Sequence, residues 1–535
     1  MQRSLDALQS TAFDLLVIGG GILGASVARD AALRGLRVAL VERGDWGGGT
    51  SSNSLRIIHG GLRYLQHLDL RRMRESIRER STWLRVAPHL VEPLPVLVPT
   101  HGWGLRGKSA LRAALAVNDL IAWDRNRTLA VDRHLPAGRA VSRAECLDLV
   151  PELGGPGLTG GVLFFDAQMY SSERLVLETV MGAVQAGTEA ANYLEVKGPL
   201  RNGGRLDGVV ARDRGDERTS LEIRARVIVN AAGPGAPCLT AALLGRPAAA
   251  PPIGYTLAFN LGVAATGHRV AFAITGGTGD PNALLRRGPR QLFVVPWRGR
   301  TLIGTAHLPF EGDPAGFDPA GVEVEGFLAE VAAAWPGAGW SREDVRFLHA
   351  GLLPGRTEGV GAARVVRLDT RHRLTDHAAQ GTPSLLTVAS VKFTTARRVA
   401  EDTVDLVSAR LGCDAACRTA DTPLPGAPEG PVERLLTDAR RRHEGVAPPV
   451  LEHLVRSYGR RYGEVLRVAS EGAGSRWLEP LCPGGCVVFA QFIHAVREEM
   501  ALTVADLVER RTELGAVGCD SPALRARAAE ALAAG

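Results

Sequence analysis

The stretch FDLLVIGGGILGASVARDAALRGLRVALVE, residues 13–42, decides the fold. Its apolar run Leu15 to Ile18 enters a glycine turn that opens a helical pattern, and Leu36 to Val41 form a second apolar run that delivers Glu42. Strand, helix and strand in succession read as a βαβ unit, with Gly35 ending the helix. Gly19, Gly21 and Gly24 occupy the G-x-G-x-x-G positions. Their separate tasks are the tight turn, close backbone approach to a pyrophosphate, and close packing of helix on strand. The start of the helix offers free N–H groups and a partial positive charge to phosphates. Glu42 stands eighteen residues after Gly24, where a carboxylate can accept both hydroxyls of a ribose. The reading is a dinucleotide-binding unit.

Residues 50–65, TSSNSLRIIHGGLRYL, crowd hydroxyls, glycines and bases into one short stretch directly after that unit. Thr50, Ser51, Ser52, Gly60 and Gly61 let the chain approach a large ligand, while His59, Arg63 and Tyr64 supply donors beside it. Further on, LEIRARVIVNAAGP is a strand run ending in a small-residue turn, which places Ala231 and Gly233 over the same ligand.

Alternating strand and helix patterns continue from residue 13 to about 410, so the class is α/β with one Rossmann-like body over residues 1–415. Within it, segments near 13–100, 150–240 and 350–410 read as nucleotide-binding. The stretch near 245–350 reads as an inserted mixed or antiparallel sheet that covers a substrate. After Arg410 the texture changes: residues 420–431, ADTPLPGAPEGP, form a proline and glycine linker, and the remainder to 535 is helical by period. These helices make a separate C-terminal domain whose basic faces are candidates for contact with anionic lipid.

Composition excludes several classes. The 535 residues carry a net charge of +6 and are 45% apolar, with acids and bases interspersed, so no nucleic-acid partner is expected. No basic stretch followed by an apolar core opens the chain, and no run approaches the roughly 20 apolar residues that span a bilayer. The expectation is a cytoplasmic protein, peripheral at the inner face of the membrane if it meets one. Seven cysteines are expected to be reduced thiols. Cys413/Cys417 and Cys482/Cys486 have loose spacing and no histidine pattern, so no metal is expected. The only lysines are Lys108, Lys197 and Lys392 among 63 basic residues, which singles out Lys392.

With IGGGILGASVARDAALRG (18–35) followed by TSSNSLRIIHGGLRYLQ (50–66), the chain resembles the FAD-dependent glycerol-3-phosphate dehydrogenase family. Blocks at 162–177, 227–237, 292–307, 385–407 and 497–515 resemble later family blocks in the same order, so the likeness covers nearly the whole chain. It implies non-covalent FAD and oxidation of the secondary alcohol of glycerol 3-phosphate to dihydroxyacetone phosphate by hydride transfer to flavin N5. Electrons then pass to a quinone, to oxygen or to another acceptor. The chemistry needs positive charge for the reduced flavin, and Lys392, followed by Phe393, Thr394 and Thr395 at a helix start, meets it, the threonines as helix caps. Arg63, Tyr64 and Lys392 match positions near flavin and substrate. Arg367 is the candidate for the substrate phosphate, with Arg364, Arg371 and Arg373 competing. For the base, His59 ranks before His307.

Departures from the family pattern are Ser390-Val391 before Lys392 for Gly-Gly, Ala396 for tyrosine and Leu353 for the arginine of Gly-x-Arg-Pro. His307 replaces the aspartate of Gly-Thr-Thr-Asp, Ser171-Ser172 an aspartate pair, and Gly254-Tyr255-Thr256 a Gly-Ser-His. They fall mostly on the substrate side, and the FAD half is well matched. Two alternatives therefore stand beside the family activity: a flavoenzyme oxidising another small hydroxy compound or an amine, and a flavin-loaded binding protein without turnover.

Overall fold

Strand Ala12–Ile18 runs through the middle of the first sheet because its apolar residues are covered on both faces, as parallel strands require. The computed structural model describes all residues except 62–63, 65–68, 103–107, 247–253, 280–288, 336, 359–364, 370 and 473. Ala12–Ile18 pairs in parallel with Val38–Val41 on one side and Ser220–Asn230 on the other, and these lead outward to Glu189–Ala191 and Leu385–Ala389. An antiparallel edge strand, Arg373–Asp376, and the meander Leu194–Asn202 and Arg205–Asp213 complete eight strands. Helix Ile22–Leu33 ends before Gly35, whose φ of 87° turns the chain back to the sheet. Its alanines at 25, 28, 31 and 32 are buried and let helices Ser172–Gln185 and Ala396–Leu411 approach closely in one core.

The second sheet is mostly antiparallel and has ten strands. Tyr255–Ala264, Ala271–Gly279, Pro289–Trp297 and Arg300–Pro309 come from the predicted covering stretch. The sheet also draws in Ile57–Ile58, Val91–His101, Leu158–Met169, Phe347–Glu358 and Val365–Leu368 from the stretches read as nucleotide-binding, and Arg139–Val141 from the chain between two of them. The two sheets thus interleave along the chain. Periodicity registers that a segment is a strand, while its sheet is chosen by pairing.

The C-terminal helices, from Val432–Arg442 to Pro522–Ala534, close over a core of their own that includes Tyr458, Phe489, Phe492 and Leu507. Packing corrects two expectations. The cysteines are not all reduced: Cys482 and Cys519 form a disulfide, with Cα atoms 6.0 Å apart. Spacing alone points to Cys486 as the neighbour of Cys482, but helix packing brings a cysteine 37 residues away into the range a disulfide bridges. The 420–431 stretch is also no loose linker. Leu424 to Ala427 are buried, Leu424 N donates to Val86 O at 2.8 Å, and Gly426 N donates to the Glu178 carboxylate at 2.7 Å.

A Cβ on Gly426 would lie 2.7 Å from Tyr458 O and 2.6 Å from His89 Nε2, so backbone would have to move. Gly426→Ala is expected to lower the melting temperature by several degrees, while Gly463→Ala, with open space around it in helix Tyr462–Glu471, leaves it unchanged or slightly higher. Equal melting temperatures for both variants in a circular-dichroism melt would show that the strap is not pinned.

Candidate active site

The carboxyl ends of three parallel strands meet where Ile18 pairs with Val41 and with Asn230, the place in such sheets where a crevice receives a ligand. The glycine turn sits there. Gly19 has φ of 115°, donates to Val41 O at 2.8 Å, and leaves no room for a side chain, since a Cβ would lie 2.5 Å from Ala231 O. A Cβ on Gly24 would lie 1.9 Å from Gly19 O, so this glycine is what lets the helix begin against the turn. Gly21 is the helix N-cap, and Ser51 Oγ accepts from Ile22 N at 3.0 Å, tying the 50–54 stretch across the helix start.

Glu42 accepts from Gly20 N at 2.6 Å and from Gly44 N at 2.8 Å, one bond on each oxygen. Each oxygen keeps a second lone pair for a ligand hydroxyl. Burial pushes its carboxyl pKa up against those two bonds.

One cavity of 3310 Å³ runs from this turn to the second sheet. Ordinary small-molecule sites occupy about 300–1,000 Å³, so the volume suits an extended dinucleotide together with a substrate. Of the sequence-predicted residues, Gly19, Gly21, Glu42, Thr50, Ser51, His59, Gly61, Tyr64, Ala231, Gly233, His307, Arg367, Lys392, Phe393 and Thr394 line it. Gly24, Ser52 and Gly60 stand behind the wall. Ser52 Oγ donates to Gly47 O, and Gly60 N donates to Asp166 Oδ1 at 2.6 Å beside Arg80. Arg63 and Arg364 lie outside the described residues.

Lys392 sits in the loop between strand Leu385–Ala389 and helix Ala396–Leu411. Its Nζ is 4.3 Å from the ring centroid of Tyr64, and Arg72 Cζ is 4.5 Å from the same centroid, so one aromatic ring serves two cations. The His59 ring meets Tyr64 edge-on at 6.0 Å. Burial, and then the charge of Arg72, hold Lys392 down to about 8, while Glu75 and Asp69 oppose the shift. Sequence reasoning misses Arg72, which belongs to helix Leu70–Val86 and is one of several arginines on an ordinary amphipathic pattern. Arg367 faces the cavity, but its Nε is 2.5 Å from Glu358 Oε2, which offsets its charge.

The threonines do not act as the expected caps. Thr395 occupies the N-cap position of helix Ala396–Leu411 yet makes no side-chain capping bond, and Thr394 contributes its carbonyl to Trp83 Nε1 at 3.0 Å. Both side chains are instead buried by the packing of this turn. The departures from the family pattern also divide. Leu353, His307, Ser390 and Val391 line the cavity. Ser171 instead caps helix Ser172–Gln185 by accepting from Arg174 N at 3.0 Å, Ser172 bonds buried Arg56, and Tyr255, Thr256 and Ala396 are packed in cores.

A glycine turn backed by a carboxylate with free lone pairs, opening onto a cavity that also holds Lys392 and Arg72 under a second sheet, fits an oxidoreductase built around a dinucleotide cofactor. The residues fit FAD on these grounds: space at the turn, Glu42 lone pairs and cations at the far end. Comparison with known proteins agrees. Residues 14–388 match the FAD dependent oxidoreductase family, and residues 417–534 match the C-terminal domain of alpha-glycerophosphate oxidase. A glycerol-3-phosphate dehydrogenase of Synechocystis sp. is 34% identical over 97% of this chain and 92% of its own length, and glycerol-3-phosphate dehydrogenase 1 of Mycobacterium tuberculosis is 33% identical over 97% and 95%. The solved glycerol-3-phosphate dehydrogenase of Bacillus halodurans, complexed with FAD, superposes with a TM-score of 0.74 at 26% identity, covering 99% of this chain and 90% of that one. The chain belongs to the FAD-dependent glycerol-3-phosphate dehydrogenase family. It is an FAD-dependent oxidoreductase.

Gly21→Val places methyl groups where a Cβ already stands 3.0 Å from Ser51 Oγ. The purified variant is expected to be colourless, read as loss of the visible flavin band relative to protein absorbance; stoichiometric flavin in it would refute the glycine-turn assignment.

Proposed function

We propose that this chain oxidises the secondary hydroxyl of glycerol 3-phosphate, with the cluster of Lys392, Arg72, Tyr64 and His59 as its working residues. The observation that carries the reading is the pair of cations on the Tyr64 ring. Two partly buried positive charges on one ring repel, Asp69 at 3.6 Å from Arg72 offsets part of that cost, and a dianionic phosphate bound beside them relieves the rest. This arrangement also answers the substitution of Leu353 for a substrate-side arginine: Arg72 supplies a guanidinium to the same cavity from another element. FAD, when bound, supplies the hydride acceptor. Lys392 and Arg72 bind and orient the anion, Tyr64 spaces them, and His59 takes the hydroxyl proton on a ring nitrogen. His307, on strand Arg300–Pro309, approaches the cavity from the second sheet and is the other candidate for the proton.

Anaerobic stopped-flow mixing with glycerol 3-phosphate is expected to bleach the flavin, with glycerol and lactate inert. Lys392→Met should slow that reduction about 100-fold while FAD stays bound, in line with loss of one charge-stabilising donor. Lys392 is a cation below its pKa of about 8, so kcat/KM should fall as pH rises through about 8. Bleaching by an amine or another alcohol alone, or a flat profile to high pH, would refute the reading. His59→Asn and His307→Asn, compared in the same experiment, separate the two candidates for the base.

The proposed electron acceptor is a quinone reached from a membrane surface. Helix Lys108–Ile121 supports this: Leu111, Ala114 and Leu115 line the cavity, while Val117 and Leu120 on the same helix are exposed. Leu120, Trp123 and Val131 are 74%, 72% and 79% exposed, and Arg71, Arg78 and Arg127 are exposed as well. Exposed apolar side chains accompanied by arginine suit insertion among anionic headgroups. Among the described residues no helix is long and apolar enough to cross a membrane. Trp123→Asp is expected to abolish co-sedimentation with anionic vesicles and to leave flavin reduction by substrate intact; unchanged co-sedimentation would remove this surface from consideration.

A further inference from the structure

The C-terminal domain reaches the cofactor loop at both of its ends. At one end Asp45, which lines the cavity, receives Arg511 as a fork, Nη1 at 2.5 Å and Nη2 at 2.9 Å, and also Arg510 Nε at 2.8 Å. Burial pushes the Asp45 carboxyl up, but these guanidiniums more than reverse it and hold it below the usual carboxylate range. At the other end Arg56, fully buried, donates to Glu173 Oε1 at 2.8 Å and lies 3.1 Å from Glu513 Oε1. Glu513 in turn pairs with Arg298 of the second sheet.

Between these anchors lies the stretch that carries the ligand-facing loop. Gly47 N donates to Gly20 O at 3.0 Å, Thr50 Oγ1 donates to Leu352 O at 3.2 Å, and Ser51 accepts from the start of the glycine-turn helix. Three residues after Arg56, the chain reaches His59. Arg56, Arg298 and Glu513 have φ of 61°, 46° and 57°, a left-handed conformation that side-chain-bearing residues seldom hold unless their surroundings impose it. Three such residues meet at one buried cluster, and each contributes an ionisable side chain to it, with burial and the neighbouring Glu173 pushing the Glu513 carboxyl up.

We propose that the stretch 510–513 of the C-terminal domain is a positioning element for the cofactor loop: Arg510 and Arg511 hold Asp45, Glu513 holds Arg56, and the 47–54 segment between them is thereby set against the glycine turn. Arg511 and Glu513 stand behind the cavity wall, while Arg510 and Asp45 reach the cavity lining. The C-terminal domain therefore acts on the flavin site by anchoring the loop at its two ends. The inference rests on FAD occupying the glycine-turn end of the cavity and is independent of which alcohol is oxidised.

The test uses the full-length holoenzyme with Glu513→Ala, Glu513→Gln, Arg511→Lys and, as a docking control, Arg456→Ala, whose side chain pairs with Glu92 at 2.6 Å away from the loop. Thermal melts, the FAD dissociation constant, visible circular dichroism of the bound flavin and hydrogen exchange of residues 47–54 are read without substrate. Glu513→Ala is expected to weaken FAD binding about tenfold and speed exchange in 47–54, because Arg56 loses a buried partner. Glu513→Gln, which keeps the acceptor and the shape, should stay within about threefold of the parent. Arg511→Lys, which keeps charge but loses the fork, should behave like Glu513→Ala, and Arg456→Ala like the parent. Parent-like FAD affinity and exchange in Glu513→Ala or in Arg511→Lys would overturn the proposal. An equal loss in Arg456→Ala would overturn it too, since loosened docking alone would then suffice. If Glu513→Ala does not fold, Arg511→Lys carries the decision.

Discussion

A carbonyl and a side chain cannot share the space at the start of helix Ile22–Leu33. Gly19 O stands 1.9 Å from where a Cβ of Gly24 would be, and Ala231 O stands 2.5 Å from where a Cβ of Gly19 would be. Two strand ends and a helix start converge within that gap. The convergence leaves the turn open to the cavity, puts Glu42 beside Gly20 N, and brings Ser51 onto the first free N–H of the helix. This end of the cavity wall is built outward from the absence of side chains at Gly19 and Gly24.

At the far end of the cavity the governing term is charge. Lys392 and Arg72 share the Tyr64 ring, and the lysine is depressed to about 8 by burial and by its neighbour. Such a pair is costly on its own and favourable around an anion. Leu353 stands where the family pattern has arginine, and Arg72 brings a cation to the same cavity from a different helix. Arg72 thus puts positive charge in the cavity from helix Leu70–Val86, whereas Leu353 lies on strand Phe347–Glu358.

The helical domain is bound to the body by buried, geometrically specific pairs in place of a flexible tether. Besides the anchors at Asp45 and Arg56, Arg174 makes a fork to Glu499 at 2.8 and 2.9 Å, Tyr170 OH meets His453 Nδ1 at 2.8 Å, and the 424–427 strap is packed under both parts. Forked guanidinium pairs fix orientation as well as separation. The domain and the flavin body accordingly hold one relative placement in which the cofactor loop is part of their seam.

The cofactor half of the site is legible in the sequence because its determinants are local: glycine spacing, an apolar run on each side, and an acid at the end of the second strand. Lys392 is legible for a different reason, its rarity among arginines. Arg72 is hidden in an ordinary helical pattern, and Ser171-Ser172 read as substrate residues when they serve a helix cap and a buried guanidinium. Strand identity is readable, but membership in one sheet or the other is not, since Val91–His101 and Leu158–Met169 are apolar in either setting. The sequence by itself determined the dinucleotide-binding unit and the class of cofactor, because spacing within about 30 residues encodes turn, helix and strand directly. Tertiary structure alone decided the Lys392–Tyr64–Arg72 cluster, the Cys482–Cys519 bond and the pairing of Glu513 with Arg56, because their partners are brought together by packing between elements, which no local periodicity records.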